Sequence, residues 1–241
     1  MLGEVPAPNP WLGGKRYSKE LPIEIQKLPR IDAVLISHDH YDYLDFGSIQ
    51  LLKDKVNQFM VPLGVGAHLK AWGIEETRIQ EFDWWQEITY DHIDLIFTPS
   101  RHFYGRGLTD RFSTLWGSWV IKGKIKNLYF NGDIGYGEHF KEIGEKFGPF
   151  NFAMMECGQY NDKWADIHMM PEETVQAAAD INTKQTMPIH WGAFTLALHT
   201  WKDPVERFTA EAQQIDLSFI IPKIGEEIDL NELEVESSMW W

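Results

Sequence analysis

Ser37-His38-Asp39-His40-Tyr41-Asp42-Tyr43-Leu44-Asp45 follows directly on Ile31-Asp32-Ala33-Val34-Leu35-Ile36, an apolar run with the composition of a buried strand. Two imidazoles and a carboxylate leave the end of that strand at alternating positions. In extended chain every second side chain points the same way, so His38, His40 and Asp42 are expected to converge on one point. Imidazole and carboxylate are the ligands that zinc-type ions accept.

Three more chemically informative residues stand just past apolar runs. His102 follows Ile96-Phe97-Thr98-Pro99-Ser100-Arg101, Asp133 follows Leu128-Tyr129-Phe130-Asn131-Gly132, and His190 follows Met187-Pro188-Ile189. Active-site groups of layered α/β proteins collect on loops at one edge of the sheets. Each residue alone has a plainer reading, since an Asp after a strand is commonly a turn residue or helix cap. The ordered set is specific where its members are not. His68, His92, His139 and His199, the remaining histidines outside the motifs, read as bystanders.

The periodicity between these points predicts mixed strands and helices. Strands are expected at 31–36, 58–63, 78–82, 87–90, 93–98, 114–121, 125–130, 152–156 and 185–189. Helices are expected at 45–55, 65–72, 138–147, 171–181 and 204–214. Asp203 reads as the N-cap of the last helix. Pro171, Glu172 and Glu173 open the helix before it. Residues 1–30, rich in Pro and Gly, read as an irregular lead-in to one domain over 1–241, with no internal repeat and no low-complexity linker. This is an α/β (α+β) pattern of sheet layers covered by helices.

Composition narrows the partners. The 241 residues carry a formal net charge of -14, which disfavours nucleic acid and electrostatic docking on anionic lipid. No apolar run approaches the roughly 20 residues that span a bilayer, and no basic start followed by an apolar stretch marks a signal peptide. The single Cys157 fits a reducing compartment. A cytoplasmic location is expected, with room for peripheral membrane contact. The 11 tryptophans read mostly as core, with binding walls as the alternative.

Longer strings carry a resemblance. "SHDHYDYLD", "FTPSRHFYGRG", "LWGSWVI", "YFNGDIGYG", "DIHMMPEE" and "IHWGAFTLALH" run from about Ile31 to His199. They resemble the metallo-β-lactamase superfamily, and within it the N-acylphosphatidylethanolamine-hydrolysing phospholipase D branch with its RomA-like bacterial relatives. The resemblance implies a four-layer αββα sandwich. It implies that His38, His40 and His102 hold a first metal, that Asp133 bridges, and that Asp42 and His190 hold a second. His168 matches a histidine at the mouth of the site that contacts the substrate head group. Zinc is the implied metal, as one or two ions, with manganese or iron as alternatives.

The chain departs from that pattern twice. Tyr43 replaces the next histidine ligand, and a phenol with an ordinary pKa near 10 ligates zinc poorly. The second site is therefore expected either to be loose, to prefer iron or manganese, or to use water in that place. Relatives also carry a β-hairpin ahead of the region aligned with Met1. Here the first strand is expected only at Ile31, which leaves a sheet edge uncovered.

The implied activity is phosphodiester hydrolysis of a phospholipid-like substrate, with a metal-bound hydroxide as attacking group, Asp133 orienting it and His168 stabilising charge. Asp39 and Asp45 are candidate acceptors that fix the imidazoles. Two alternatives stand beside it: a lactonase or other ester hydrolase, and a non-catalytic metal-binding domain.

Overall fold

A computed structural model describes residues 2–7, 11, 13–18, 20–21, 23–103, 105–107, 113–231 and 239–241. Its first sheet is built from β1 (Ile31–Leu35), α1 (Phe46–Leu52), β2 (Val56–Pro62), α2 (Gly66–Ala71) and β3 (Ile79–Phe82). Helical crossovers make this three-stranded sheet parallel, in the order β1-β2-β3. β4 (Glu87–Tyr90), β5 (Ile93–Thr98), β6 (Ser118–Lys122) and β7 (Asn127–Phe130) then run antiparallel. α3 (His139–Phe147), β8 (Phe152–Glu156), α4 (Pro171–Asp180) and β9 (Thr186–Ile189) extend that sheet with parallel strands, and α5 (Asp203–Gln214) follows. The second sheet has six strands in sequential order.

Strand alternation sorts the apolar residues into layers. Phe59 and Val61 of β2 face α1 and α2 through Ile49 and Leu69. Met60, between them in sequence, faces the second sheet and meets Leu95, Phe97 and Trp119. On that sheet's far side Ile96, Val120, Tyr129 and Ala153 pack against Phe140 and Ile143 of α3 and Ala177 and Ala178 of α4. The result is the αββα sandwich. All the strands that deliver candidate site residues end at one edge of it. Among the described residues no strand precedes Ile31, and β1 forms the sheet edge.

Several expectations shift at the element ends. The strand expected at 114–121 begins only at Ser118, because residues 114–117 cross to the first sheet. Leu115 N–H donates to Leu63 O and Gly117 N–H to Ser37 O. Only glycine fits at 117, where a Cβ would lie 2.5 Å from both the Phe97 ring and Thr98 O. Asp45 caps α1 by accepting from Ser48 N–H at 2.7 Å. Asp203 is not a cap but the first residue of α5, and its carboxylate accepts instead from the Tyr160 hydroxyl.

The tryptophans also differ from expectation. Among the described residues only Trp119 is fully buried. Others clamp loops with their indole N–H: Trp84 on Trp116 O, Trp116 on Ser100 O, Trp164 on Gln159 O and Trp191 on Pro188 O. An amphipathic ring half in the core and half on a carbonyl suits that position.

Candidate metal centre

The chain leaves β1 through a bend at Ser37, carries His38 and His40, and then turns. Tyr43 and Leu44 both donate backbone N–H to His40 O. The alternation therefore stops at His40, and Asp42 does not converge with the two histidines. It is carried instead to His190, whose Nε2 lies 3.0 Å from Asp42 Oδ2.

His38, His40 and His102 face one another with ring centroids 4.7–4.9 Å apart. His102 Nδ1–H donates to Ile167 O at 2.9 Å, which leaves its Nε2 lone pair turned inward, 3.2 Å from His40 Nδ1. Ser37 Oγ stands 3.0 Å from His38 Nδ1, and His38 Nε2 is 3.5 Å from Asp133 Oδ2. Asp133 reaches this point because Gly132 adopts φ +65°, and a Cβ there would lie 2.5 Å from Ser37 Cβ. On its other side Asp133 Oδ1 lies 3.1 Å from His190 Nδ1. His190 itself holds φ +66°, a strained conformation for a residue with a side chain.

Two groups of donor atoms result, each close enough to share one ion: His38, His40, His102 and Asp133, and then Asp133, His168 and His190. Asp133 belongs to both. His38 Nε2, Asp133 Oδ1 and His190 Nδ1 are buried without a hydrogen-bond partner. Buried polar atoms are rarely left so, and a cation of the zinc type fits the need of this imidazole and carboxylate set.

Charge follows the geometry. Burial, helped by His38, holds His40 down to about pKa 4 and His102 well below its ordinary value. Both rings are thus in the neutral form that ligates. Burial opposes charge on Asp133, yet His190 and His38 keep its carboxyl well below the usual range. Burial likewise opposes charge on His190, and Asp133 and Asp42 outweigh it to push that imidazole well up.

In the metal-free protein these imidazoles make stability depend on pH. Between about pH 4 and 6.5 the unfolded chain protonates all three rings near their ordinary pKa of about 6.5, whereas the native state protonates His190 alone. The unfolded state then binds two more protons, so these groups make stability rise with pH by up to about 2.7 kcal/mol per unit. Above pH 6.5 only the native His190 holds its proton, and its contribution is lost as pH climbs through the raised value. Urea unfolding of chelator-treated protein is expected to show greatest stability near pH 6.5, and a profile flat from pH 4.5 to 8 would contradict it.

Residues outside the expected set complete the centre. Glu156, fully buried at the end of β8, accepts from Met169 N–H at 3.1 Å and pairs with His168 Nδ1 at 3.0 Å. Its signal in sequence was an acidic residue closing the otherwise apolar Phe152–Met155. Asp39 and Asp45 do not support the cluster imidazoles. Asp39 accepts from the Thr114 hydroxyl and pairs with His68, while Asp45 is a helix cap. His199, read as a bystander, accepts from Gln159 N–H at 2.9 Å and so ties the loop after β8 to the segment after His190. A cavity of about 370 Å³ opens on the centre, with Phe103, Trp164, Ile167 and Leu196 as its apolar wall. "LWGSW" and "IHWGAF" contribute none of that wall: Trp119 is core and Trp191 stacks on Trp201 and Trp240.

A family model described as the beta-lactamase superfamily domain matches residues 6–191. The chain belongs to this superfamily. Within the superfamily it is similar to an uncharacterized protein of Mycobacterium tuberculosis, 44% identical over 212 residues that cover 86% of this chain and 57% of that one. The chain thus spans little more than half the length of this relative. It is also similar to N-acyl-phosphatidylethanolamine-hydrolyzing phospholipase D 1 of Caenorhabditis elegans, 30% identical over 231 residues, with 89% of this chain and 65% of that one covered. An isothiocyanate hydrolase from Delia radicum gut bacteria shares the superfamily fold, with a TM-score of 0.71 at 20% identity over 94% of this chain and 88% of that one. The resemblance carried by the sequence strings is borne out, and the layers match the sandwich it implied.

Proposed function

We propose that this protein is a metal-dependent phosphodiesterase acting on phospholipid-like substrates. The observation that carries the reading is the pair of donor groups sharing Asp133 at the floor of a cavity with an apolar wall. His38, His40, His102 and Asp133 would hold one ion. Asp133 and His190, with Asp42 against His190, would serve a second. Zinc-type ions would supply Lewis acidity there and bring the pKa of bound water toward neutrality.

The protein's own residues set the rest. Asp133 stays ionised and buried between His38 and His190, so one fixed carboxylate would serve both groups. Phe103, Trp164, Ile167 and Leu196 exclude water and offer dispersion contact to acyl chains. Similarity to the C. elegans phospholipase supports the phosphodiester over other bonds cleaved by this fold. No helix among the described residues is long and apolar enough to cross a membrane, so lipid would reach the cavity from a micelle or a bilayer surface.

The deciding experiment sets an N-acylphosphatidylethanolamine in mixed micelles and an aryl phosphodiester beside a lactone. Metal-loaded protein is expected to cleave the first two, to lose that turnover on chelation, and to regain it with zinc or manganese. Turnover of the lactone alone would replace this reading with the lactonase one. Intact substrate in all three arms would leave a metal-binding domain without catalysis.

A further inference from the structure

Tyr43 leaves the second ion one ligand short of the arrangement that the resemblance implies. The phenol is packed between His38 and His190, with ring centroids 4.4 and 5.6 Å away. A phenol that keeps its proton offers a zinc-type ion far less than an imidazole or a carboxylate does.

Another imidazole stands at the centre. His168 stacks on His190 at 5.5 Å and meets His102 edge-on at 5.3 Å. Its ligand atom falls in one group with those of Asp133 and His190. Glu156 holds His168 by Nδ1 at 3.0 Å, which leaves Nε2 as the lone pair turned to the centre. His190 is flanked by carboxylates on both nitrogens: Asp42 Oδ2 lies 3.0 Å from Nε2, and Asp133 Oδ1 and Glu156 Oε1 lie 3.1 and 3.6 Å from Nδ1. A carboxylate on the far nitrogen of His168 is the outer support that metal-ligating histidines ordinarily have.

We propose that His168 completes the second ion site together with Asp133 and His190, and that Tyr43 is not a ligand but a ring packed between His38 and His190. Two elements explain the exchange. His40 O takes the N–H groups of Tyr43 and Leu44, and the Tyr43 ring is then held between His38 and His190. The loop between β8 and α4 brings His168 over the centre, pinned by Met169 N–H on Glu156. This inference rests on the two-ion reading above.

Metal stoichiometry tests it, on the full chain loaded with zinc and freed of excess. Wild-type protein is expected to hold two equivalents, Tyr43→Phe two, and His168→Ala one. That retained equivalent also reports an intact His38–His40–His102 set, and hence a folded variant. Glu156→Gln is expected to weaken the second ion by about 10–100-fold and leave the first unchanged. Loaded with ferric iron, the wild-type protein is expected to lack the visible charge-transfer band of an iron–phenolate bond, a measurement that stands even if His168→Ala does not fold. One equivalent in the wild type would overturn the two-ion reading itself. Two equivalents in His168→Ala, a loss in Tyr43→Phe, or a phenolate band would overturn the assignment of His168 alone.

Discussion

Asp133→Asn is expected to lower hydrolysis of the phosphodiester by about 10³-fold and to reduce bound metal at both positions. Losing an outer partner of a metal ligand already costs about 10–100-fold, and Asp133 belongs to both donor groups. Asparagine keeps the shape and removes the charge. His38 Nε2 and His190 Nδ1 then face an amide in place of a carboxylate. His190, held protonated in metal-free protein chiefly by Asp133, is expected to lose that support, and its imidazole titration followed by NMR should move down. Metal analysis and turnover measured on one preparation check the claim. Full metal content with undiminished turnover would show that Asp133 is a structural carboxylate and no part of the centre.

Trp119→Ala is expected to destabilise the fold by about 3–5 kcal/mol, the cost of truncating a fully buried large aromatic. Trp119 is completely buried between the two sheets, against Phe82 and Phe97 at centroid distances of 5.1 and 4.9 Å. Its indole N–H also donates to Ile36 O at 2.9 Å, and the orphaned carbonyl adds about 1 kcal/mol. Ile36 is two residues before His38, so the same ring joins the sheets and fixes the backbone that presents the first imidazoles. Against a total stability on the order of 5–15 kcal/mol, the loss should be evident as a lower urea midpoint. Trp119→Phe restores most of the packing but not the hydrogen bond, so it is expected to recover most of the stability and only part of the metal affinity. A midpoint unchanged in Trp119→Ala would mean that the sheets do not depend on this contact.

Much of the architecture was legible because it is local. β4, β5 and β8 lie where periodicity places them, and α3 and α4 differ from expectation by one residue at an end. Element ends set by distant partners were not legible. β6 starts late because Leu115 and Gly117 bond to Leu63 and Ser37 on the other sheet. Asp203 enters its helix because Tyr160, far away in sequence, takes the carboxylate that would have capped it. Trp119 and Trp191 stand in similar strings yet differ in burial, since an indole can serve a core or a loop carbonyl with equal chemical sense.

At the centre the same division holds. Residue types at strand ends determined that His38, His40, His102, Asp133 and His190 would gather at one edge of the sheets, because strand direction and the period of two are properties of the backbone itself. Only the tertiary structure decided which nitrogen of His102 turns inward, that Asp42 meets His190 and that Glu156 holds His168. Those outcomes depend on contacts of about 3 Å between elements as many as 148 residues apart. A ring nitrogen is committed by the acceptor on its far side, and no local spacing in the chain specifies where that acceptor will be.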